Sequence, residues 1–66
     1  MRYRAEAFEI DSDQSVADLL HWDTRQAAQV ACEYHALERL RFSTHERGVW
    51  VATSGDLWFR IVASQE

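Results

Sequence analysis

The chain has 66 residues and a formal net charge of −4, and all seven of its basic residues are arginine. This length predicts one domain over residues 1–66, close to the lower limit for a core without disulfides or metals. A single cysteine excludes an internal disulfide, and no apolar run approaches the ~20 residues that span a bilayer, so we expect a soluble cytoplasmic protein without a signal peptide.

The first predicted element is a strand over residues 1–10, where side chains alternate in character. Phe8 and Ile10 have the opposite parity from Ala5 and Ala7. Either a bulge switches the two faces there, or Phe8 and Ile10 point away from the core.

A polar loop over residues 11–14 separates this strand from a stretch with helix signals. Ser15 is followed three residues later by Asp18, a spacing typical of a helix N-terminus. We therefore predict a short helical turn that runs through to Trp22.

The main helix is predicted from about Thr24 to about Ala36. Asp23 is its expected N-cap, with Gln26 in the capping-box position. Helical spacing predicts that its buried apolar face consists of Ala27, Val30, Ala31 and Tyr34.

Three further strands are predicted at 37–44, 49–53 and 57–63. In the first of them Leu40 and Phe42 alternate with Arg39 and Arg41. The order β-α-β-β-β predicts an α+β fold, an antiparallel sheet of three to four strands with one main helix packed on one face.

The last two strands form a predicted hairpin with Ser54 and Gly55 as its turn, which sets Ala52 opposite Leu57. One face is then wholly apolar and is assigned to the core: Trp50, Ala52, Leu57, Phe59 and Ile61. The other face carries Val49, Val51, Trp58, Arg60 and Val62. Because one helix cannot cover both sides of a sheet, this second face should remain open.

An aromatic and aliphatic stripe flanked by arginines is typical of the centre of a protein interface. The predicted contact residues on the open side are Arg39, Arg41, Val49, Val51, Trp58 and Arg60. The alternative is an ordinary hydrated sheet face, on which a tryptophan lies against arginine side chains.

Six acidic residues lie in the first third of the chain and account for its net charge: Glu6, Glu9, Asp11, Asp13, Asp18 and Asp23. This balance argues against direct binding of nucleic acid and favours a basic protein partner, so these residues are also predicted partner contacts. The alternative is that the charge only keeps a small domain soluble.

Catalytic and metal signals are weak. Cys32 and His35 have a metal-ligand spacing, and His21 and His45 could complete four ligands, but no second local pair accompanies them. A glycine-rich phosphate loop is also missing from the sequence. We expect no metal, no cofactor and no enzymatic activity.

One stretch resembles a known group of proteins. Residues 24–52 combine an alanine-spaced helix (Ala27, Ala31), an alternating strand and the run Gly48-Val49-Trp50-Val51-Ala52. In this order they resemble small phage-encoded anti-CRISPR proteins that inhibit type I systems and have a strand-helix-meander plan.

The resemblance implies a stoichiometric inhibitor in the cytoplasm of an infected bacterium. Such a protein binds a protein subunit of a type I CRISPR surveillance (Cascade) complex and blocks recognition of target DNA, without contacting nucleic acid or membrane itself. We expect a monomer. The alternative function is a small phage or plasmid regulator, or an antitoxin-like module, that homodimerises through its exposed sheet face.

Overall fold

The computed structural model describes residues 2–64. It contains one helix and five strands: β1 (Arg2–Glu9), β2 (Ser15–Trp22), α1 (Arg25–Ala36), β3 (Ser43–Glu46), β4 (Val49–Ser54) and β5 (Leu57–Ser64). Among residues 2–64 no helix has the length and hydropathy of a membrane span.

All five strands form one antiparallel sheet in the order β2-β1-β5-β4-β3. The helix α1 packs on one face of this sheet, against β1, β2 and β5. The predicted α+β class is confirmed, although the sheet has one strand more than the three to four expected. The first strand of the sequence lies second in the sheet, between β2 and β5.

The additional strand is β2, so the helical turn predicted from Ser15 to Trp22 is wrong. Pairing with β1 supplies the backbone hydrogen bonds of this segment, and Ala17 and Leu19 pack against the core. Leu20 has a left-handed backbone (φ 72°) at an irregularity in the ladder, and this bulge turns Trp22 towards the core. Tertiary pairing therefore overrides the local capping pattern.

The N-cap of α1 is Thr24 rather than Asp23, and its hydroxyl accepts a hydrogen bond from the backbone N–H of Ala27 at 3.0 Å. The helix ends at Ala36, as predicted. Leu37 follows in a left-handed conformation, and its N–H donates to the carbonyl of Glu33.

The buried side of α1 differs from the prediction. Ala28 and Cys32 face the sheet and are fully buried, whereas Val30 and Tyr34 are exposed. The small side chains of Ala28 and Cys32 allow the helix backbone to lie close to the sheet. The predicted residues do form an apolar stripe, but most of this stripe lies on the side of the helix that faces away from the sheet.

The core lies between α1 and the covered face of the sheet, and consists of Ala5, Ala7, Ala28, Cys32, Leu40, Ala52, Phe59 and Ile61. Phe59 and Ile61 are its largest fully buried side chains among the described residues. Burial of each contributes about 1.5–3 kcal/mol, so β5, at the centre of the sheet, carries much of the stabilisation.

The segment between α1 and β3 is mostly a loop, which corrects the strand predicted over 37–44. Leu40 and Phe42 still pack against the core. The carboxylate of Glu33 accepts two hydrogen bonds, one from the backbone N–H of Leu40 at 3.0 Å and one from the side-chain amide of Gln29 at 3.3 Å. These bonds hold the loop against the helix, and Arg39 and Arg41 therefore precede the sheet instead of lying on it.

The β4–β5 hairpin turns at Gly55 and Asp56, with Gly55 at φ 59°, and not at Ser54 and Gly55. Ala52 consequently pairs with Phe59 rather than with Leu57. A shift of two residues preserves the parity of a strand. The assignment of hairpin residues to the two faces is therefore confirmed even though the predicted register is wrong.

Candidate functional site

The candidate site is the sheet face opposite α1, here called the open face. Three rows of side chains cross β1, β5 and β4 at this face, as the strand pairing defines them: Phe8, Trp58 and Thr53; Glu6, Arg60 and Val51; Arg4, Val62 and Val49. The pairing of β1 with β5 continues through Phe8 without a bulge, so Phe8 points to the open face. Of the two alternatives left by the sequence, the one in which Phe8 points away from the core is therefore correct.

Arg60 occupies the middle of the open face. Its guanidinium carbon lies 4.8 Å from the ring centroid of Phe8 and 6.0 Å from that of Trp58. The two rings stack on each other with centroids 4.4 Å apart and planes at 18°. Cation–π contacts of this kind hold an arginine flat on an aromatic surface. The three side chains therefore form one packed unit.

A carboxylate neutralises this arginine. Glu6 Oε1 accepts a hydrogen bond from Arg60 Nη2 at 2.7 Å, and its other oxygen lies 3.5 Å from Nη2 of Arg4. Arg4 also lies 3.6 Å from the carboxylate of Asp18 on β2. The alternating charges cross three neighbouring strands and keep each side chain extended over the sheet.

One donor of this cluster has no partner. The Nε–H of Arg60 is buried and makes no hydrogen bond to any described residue. An unpaired buried donor is costly, which is why such groups in native proteins usually have a partner. The Nε–H of Arg60 is an exception to this rule, and its burial keeps it out of reach of solvent.

A groove of about 680 Å³ lies on the open face above β5, β4 and β3. It is lined by His45, Glu46, Val49, Val51, Thr53, Trp58, Arg60 and Val62. Three of these eight residues are valines, and Trp58 adds an aromatic ring. Such a surface can accept an apolar side chain or an extended segment from a partner.

Three of the predicted acidic contacts lie at the open face. Glu6 and Asp18 belong to the charge cluster already described. Asp13, in the β1–β2 turn, accepts a hydrogen bond from the indole Nε1 of Trp58 at 3.3 Å. The turn therefore places a carboxylate at the edge of the tryptophan.

The other predicted acids are elsewhere. Glu9, at the end of β1, accepts a hydrogen bond from the hydroxyl of Ser12 in the β1–β2 turn, and Asp11 is exposed in that turn. Asp23 lies just before α1. The six acids thus do not form one surface.

Four of the other predicted contacts share the open face: Val49, Val51, Trp58 and Arg60. Arg39 instead lies beside the end of α1, with Leu37 and Glu38, and the prediction that it shares a face with Arg60 is wrong. Arg41 is exposed in the loop before β3, outside the sheet. The open face carries Arg4 and Arg60 against four acids, Glu6, Asp13, Asp18 and Glu46, and is therefore acidic rather than basic at its edges.

Six members of the site were missing from the predicted contacts: Arg4, Phe8, His45, Glu46, Thr53 and Val62. Phe8 showed a signal in the sequence, since its parity is opposite to that of Ala5 and Ala7. Arg4 showed none, because its role depends on the pairing of β1 with both β2 and β5. Strand order is a non-local property that alternation cannot reveal.

The chemistry of Cys32 is that of a core residue. It lies fully buried beneath α1, and burial, with a smaller contribution from neighbouring Glu33, raises the pKa of its thiol to about 12. His35 is exposed on the helix. Within residues 2–64 no group of three or more histidine, cysteine, aspartate or glutamate side chains could hold a metal ion.

Comparison of the chain with protein-family models, with curated proteins and with solved structures finds no match. The geometry of the open face is therefore what bears on binding.

Proposed function

We propose that this protein is a non-catalytic binding module whose open face engages a protein partner, and that the partner is a subunit of a type I CRISPR surveillance complex in the bacterial cytoplasm. The observation that carries the binding proposal is the packed unit of Phe8, Trp58 and Arg60 beside an apolar groove. The choice of partner comes from the resemblance of residues 24–52 to anti-CRISPR proteins.

The composition of the open face supports a protein contact. Tryptophan and arginine are the residues most enriched among those that dominate binding energy, and they act best in packed surroundings. Here Trp58 and Arg60 are already held in place by Phe8 and Glu6, so little side-chain entropy is lost when a partner binds.

The charges near this face suit a basic partner. Glu46 lines the groove, and Asp13 stands beside Trp58. Surfaces that bind nucleic acid are rich in lysine and arginine, and carboxylates at the rim of the open face can occupy positions that DNA phosphates otherwise take. In this mechanism the inhibitor blocks target DNA recognition by occupying the DNA-binding surface.

The proposal is tested by binding kinetics against a purified type I surveillance complex. Trp58→Ala should speed dissociation at least tenfold, because a central aromatic anchor contributes about 2 kcal/mol or more. Asp13→Asn with Glu46→Gln should mainly slow association at low salt. The matched control is Tyr34→Ala, an exposed aromatic on α1, which should bind like the wild type at nanomolar concentration.

Two outcomes would oppose the proposal. Absence of binding to the complex would reject the CRISPR partner, while loss of binding in Tyr34→Ala but not in Trp58→Ala would reject the open face. Homodimerisation through the open face, as in the alternative regulator or antitoxin-like function, predicts a dimer that Trp58→Ala dissociates. Light scattering of these two variants separates the functions.

A further inference from the structure

The outer side of α1 carries a row of apolar side chains between polar ones, which is unusual for a helix that covers a sheet. Ala28 and Cys32 face the core, yet the opposite side carries a second apolar row, here called the outer stripe: Ala27, Val30, Tyr34 and Leu37. Tyr34 is 77% exposed and Leu37 88% exposed. The solvent side of such a helix is normally polar, and a helix apolar on both sides is normally buried on both.

The backbone at Leu37 strengthens this observation. Leu37 adopts the left-handed C-cap conformation (φ 60°), a position that glycine or asparagine usually occupies. For other residues this conformation is strained, because the Cβ atom comes too close to the backbone. A leucine there gains almost no packing within residues 2–64, since its side chain is almost fully exposed.

We propose that the outer stripe is the contact between two copies of this chain, paired through their α1 helices in antiparallel orientation about a two-fold axis. The stripe is symmetric about residue 32, with Val30 and Tyr34 two positions away and Ala27 and Leu37 five positions away. Two-fold pairing sets each residue against its mirror position. Each large side chain then meets a smaller one, Tyr34 against Val30 and Leu37 against Ala27.

The local shape fits this arrangement. A groove of about 330 Å³ lies on the outer side of α1, lined by Val30, Glu33, Tyr34, Leu37, Glu38 and Arg39. In the proposed pairing the tyrosine of one copy enters this groove beside Val30 of the other. Alternation of large and small side chains across facing positions is what allows helices to interdigitate.

The charges at the two ends of α1 are also complementary. Asp23 precedes the helix and Arg39 follows it. Neither forms a salt bridge with another residue in the described range 2–64, although the charge of Arg39 acts on Glu33 and contributes to lowering the pKa of that carboxyl. Antiparallel pairing brings Asp23 of each copy near Arg39 of the other. Arg25, at a similar level, is directed to the sheet, where its guanidinium lies 5.5 Å from the ring centroid of Trp50.

The size of the contact sets its strength. A helix of 12 residues offers less than the about 800 Å² per partner that stable interfaces bury. We therefore expect a dissociation constant between about 10 µM and 1 mM. The inference does not depend on what the open face binds, because α1 lies on the other side of the sheet.

Sedimentation equilibrium between about 10 µM and 1 mM protein tests the association. The average mass should rise from that of a monomer towards twice that value. Tyr34→Ser should abolish the rise, and Trp58→Ala should leave it unchanged. A chain that stays monomeric throughout this range, or a dimer that only Trp58→Ala dissociates, would overturn the proposal.

Disulfide trapping tests the orientation. Val30→Cys protein mixed with Tyr34→Cys protein should form a mixed disulfide several-fold faster than either protein alone, because only the mixed pair brings the two positions within bonding distance. Cys32 is fully buried and does not compete. Faster trapping of Val30→Cys with itself would indicate parallel helices and contradict the proposed pairing.

Discussion

Replacing Glu6 with glutamine removes the charge that neutralises Arg60 at the centre of the open face. Exposed ion pairs contribute about 0.2–1 kcal/mol, whereas loss of one partner from a fully buried pair costs about 3–5 kcal/mol. The side chain of Glu6 is 12% exposed and that of Arg60 37% exposed, so this pair lies between the two limits. We expect a loss of about 2 kcal/mol in the free energy of unfolding.

A loss of that size is easily measured in a domain of this length. Each 1 kcal/mol lowers the Tm by about 4–8 °C for 60–100 residues, so Glu6→Gln should melt about 8–16 °C below the wild type in calorimetry. The matched control is Glu9→Gln, an exposed acid on the same strand, which should change stability by less than about 0.5 kcal/mol.

A double-mutant cycle isolates the pair itself. In an Arg60→Met background there is no guanidinium to leave unpaired, so Glu6→Gln should cost at least about 1 kcal/mol less than in the wild type. If the cost is the same in both backgrounds, the Glu6–Arg60 contact does not organise the open face, and the reasoning on its preorganisation fails.

Three further predictions concern α1. The hydrogen bond from the Leu40 N–H, and then that from Gln29, lowers the pKa of Glu33. The contribution of Glu33 to stability is therefore complete above the ordinary glutamate pKa and disappears as pH falls through the lowered pKa. In urea titrations at pH 6 and pH 3, Glu33→Gln should remove that part of the acid dependence, and equal losses of stability at both pH values would contradict the prediction. Leu37→Gly should stabilise the monomer by about 0.5 kcal/mol in dilute thermal melts, whereas Leu37→Ala should not. The Cys32 thiol should react with a disulfide reagent at pH 8 only as fast as the protein unfolds, and a fast reaction in native buffer would show that α1 opens locally.

Alternation along the strands was enough to predict which side chains share a face. Trp58 and Arg60 were placed on the open side and Phe59 and Ile61 in the core, and both assignments hold although the predicted turn was displaced. The reason is that side-chain direction in a strand depends only on parity, which a register shift of two residues leaves unchanged.

The sequence also determined that one helix begins near Thr24 and ends at Ala36, since capping and helical spacing are local signals. Which side of that helix faces the sheet was not a local property. With apolar residues on both sides, periodicity alone does not choose between them, and the stripe that includes Val30 and Tyr34 was wrongly assigned to the core. Close packing against β1 and β5 selected the smaller pair, Ala28 and Cys32.

Only the tertiary structure decided that residues 15–22 form a strand and that β1 lies between β2 and β5. Ser15 and Asp18 carry a helix-like pattern, but hydrogen bonding to β1 and burial of Ala17 and Leu19 outweigh it. The central arrangement of Glu6, Arg60 and Phe8 depends on this strand order. Contacts between residues more than 50 positions apart arise from the packing of the whole sheet, and no local propensity encodes them.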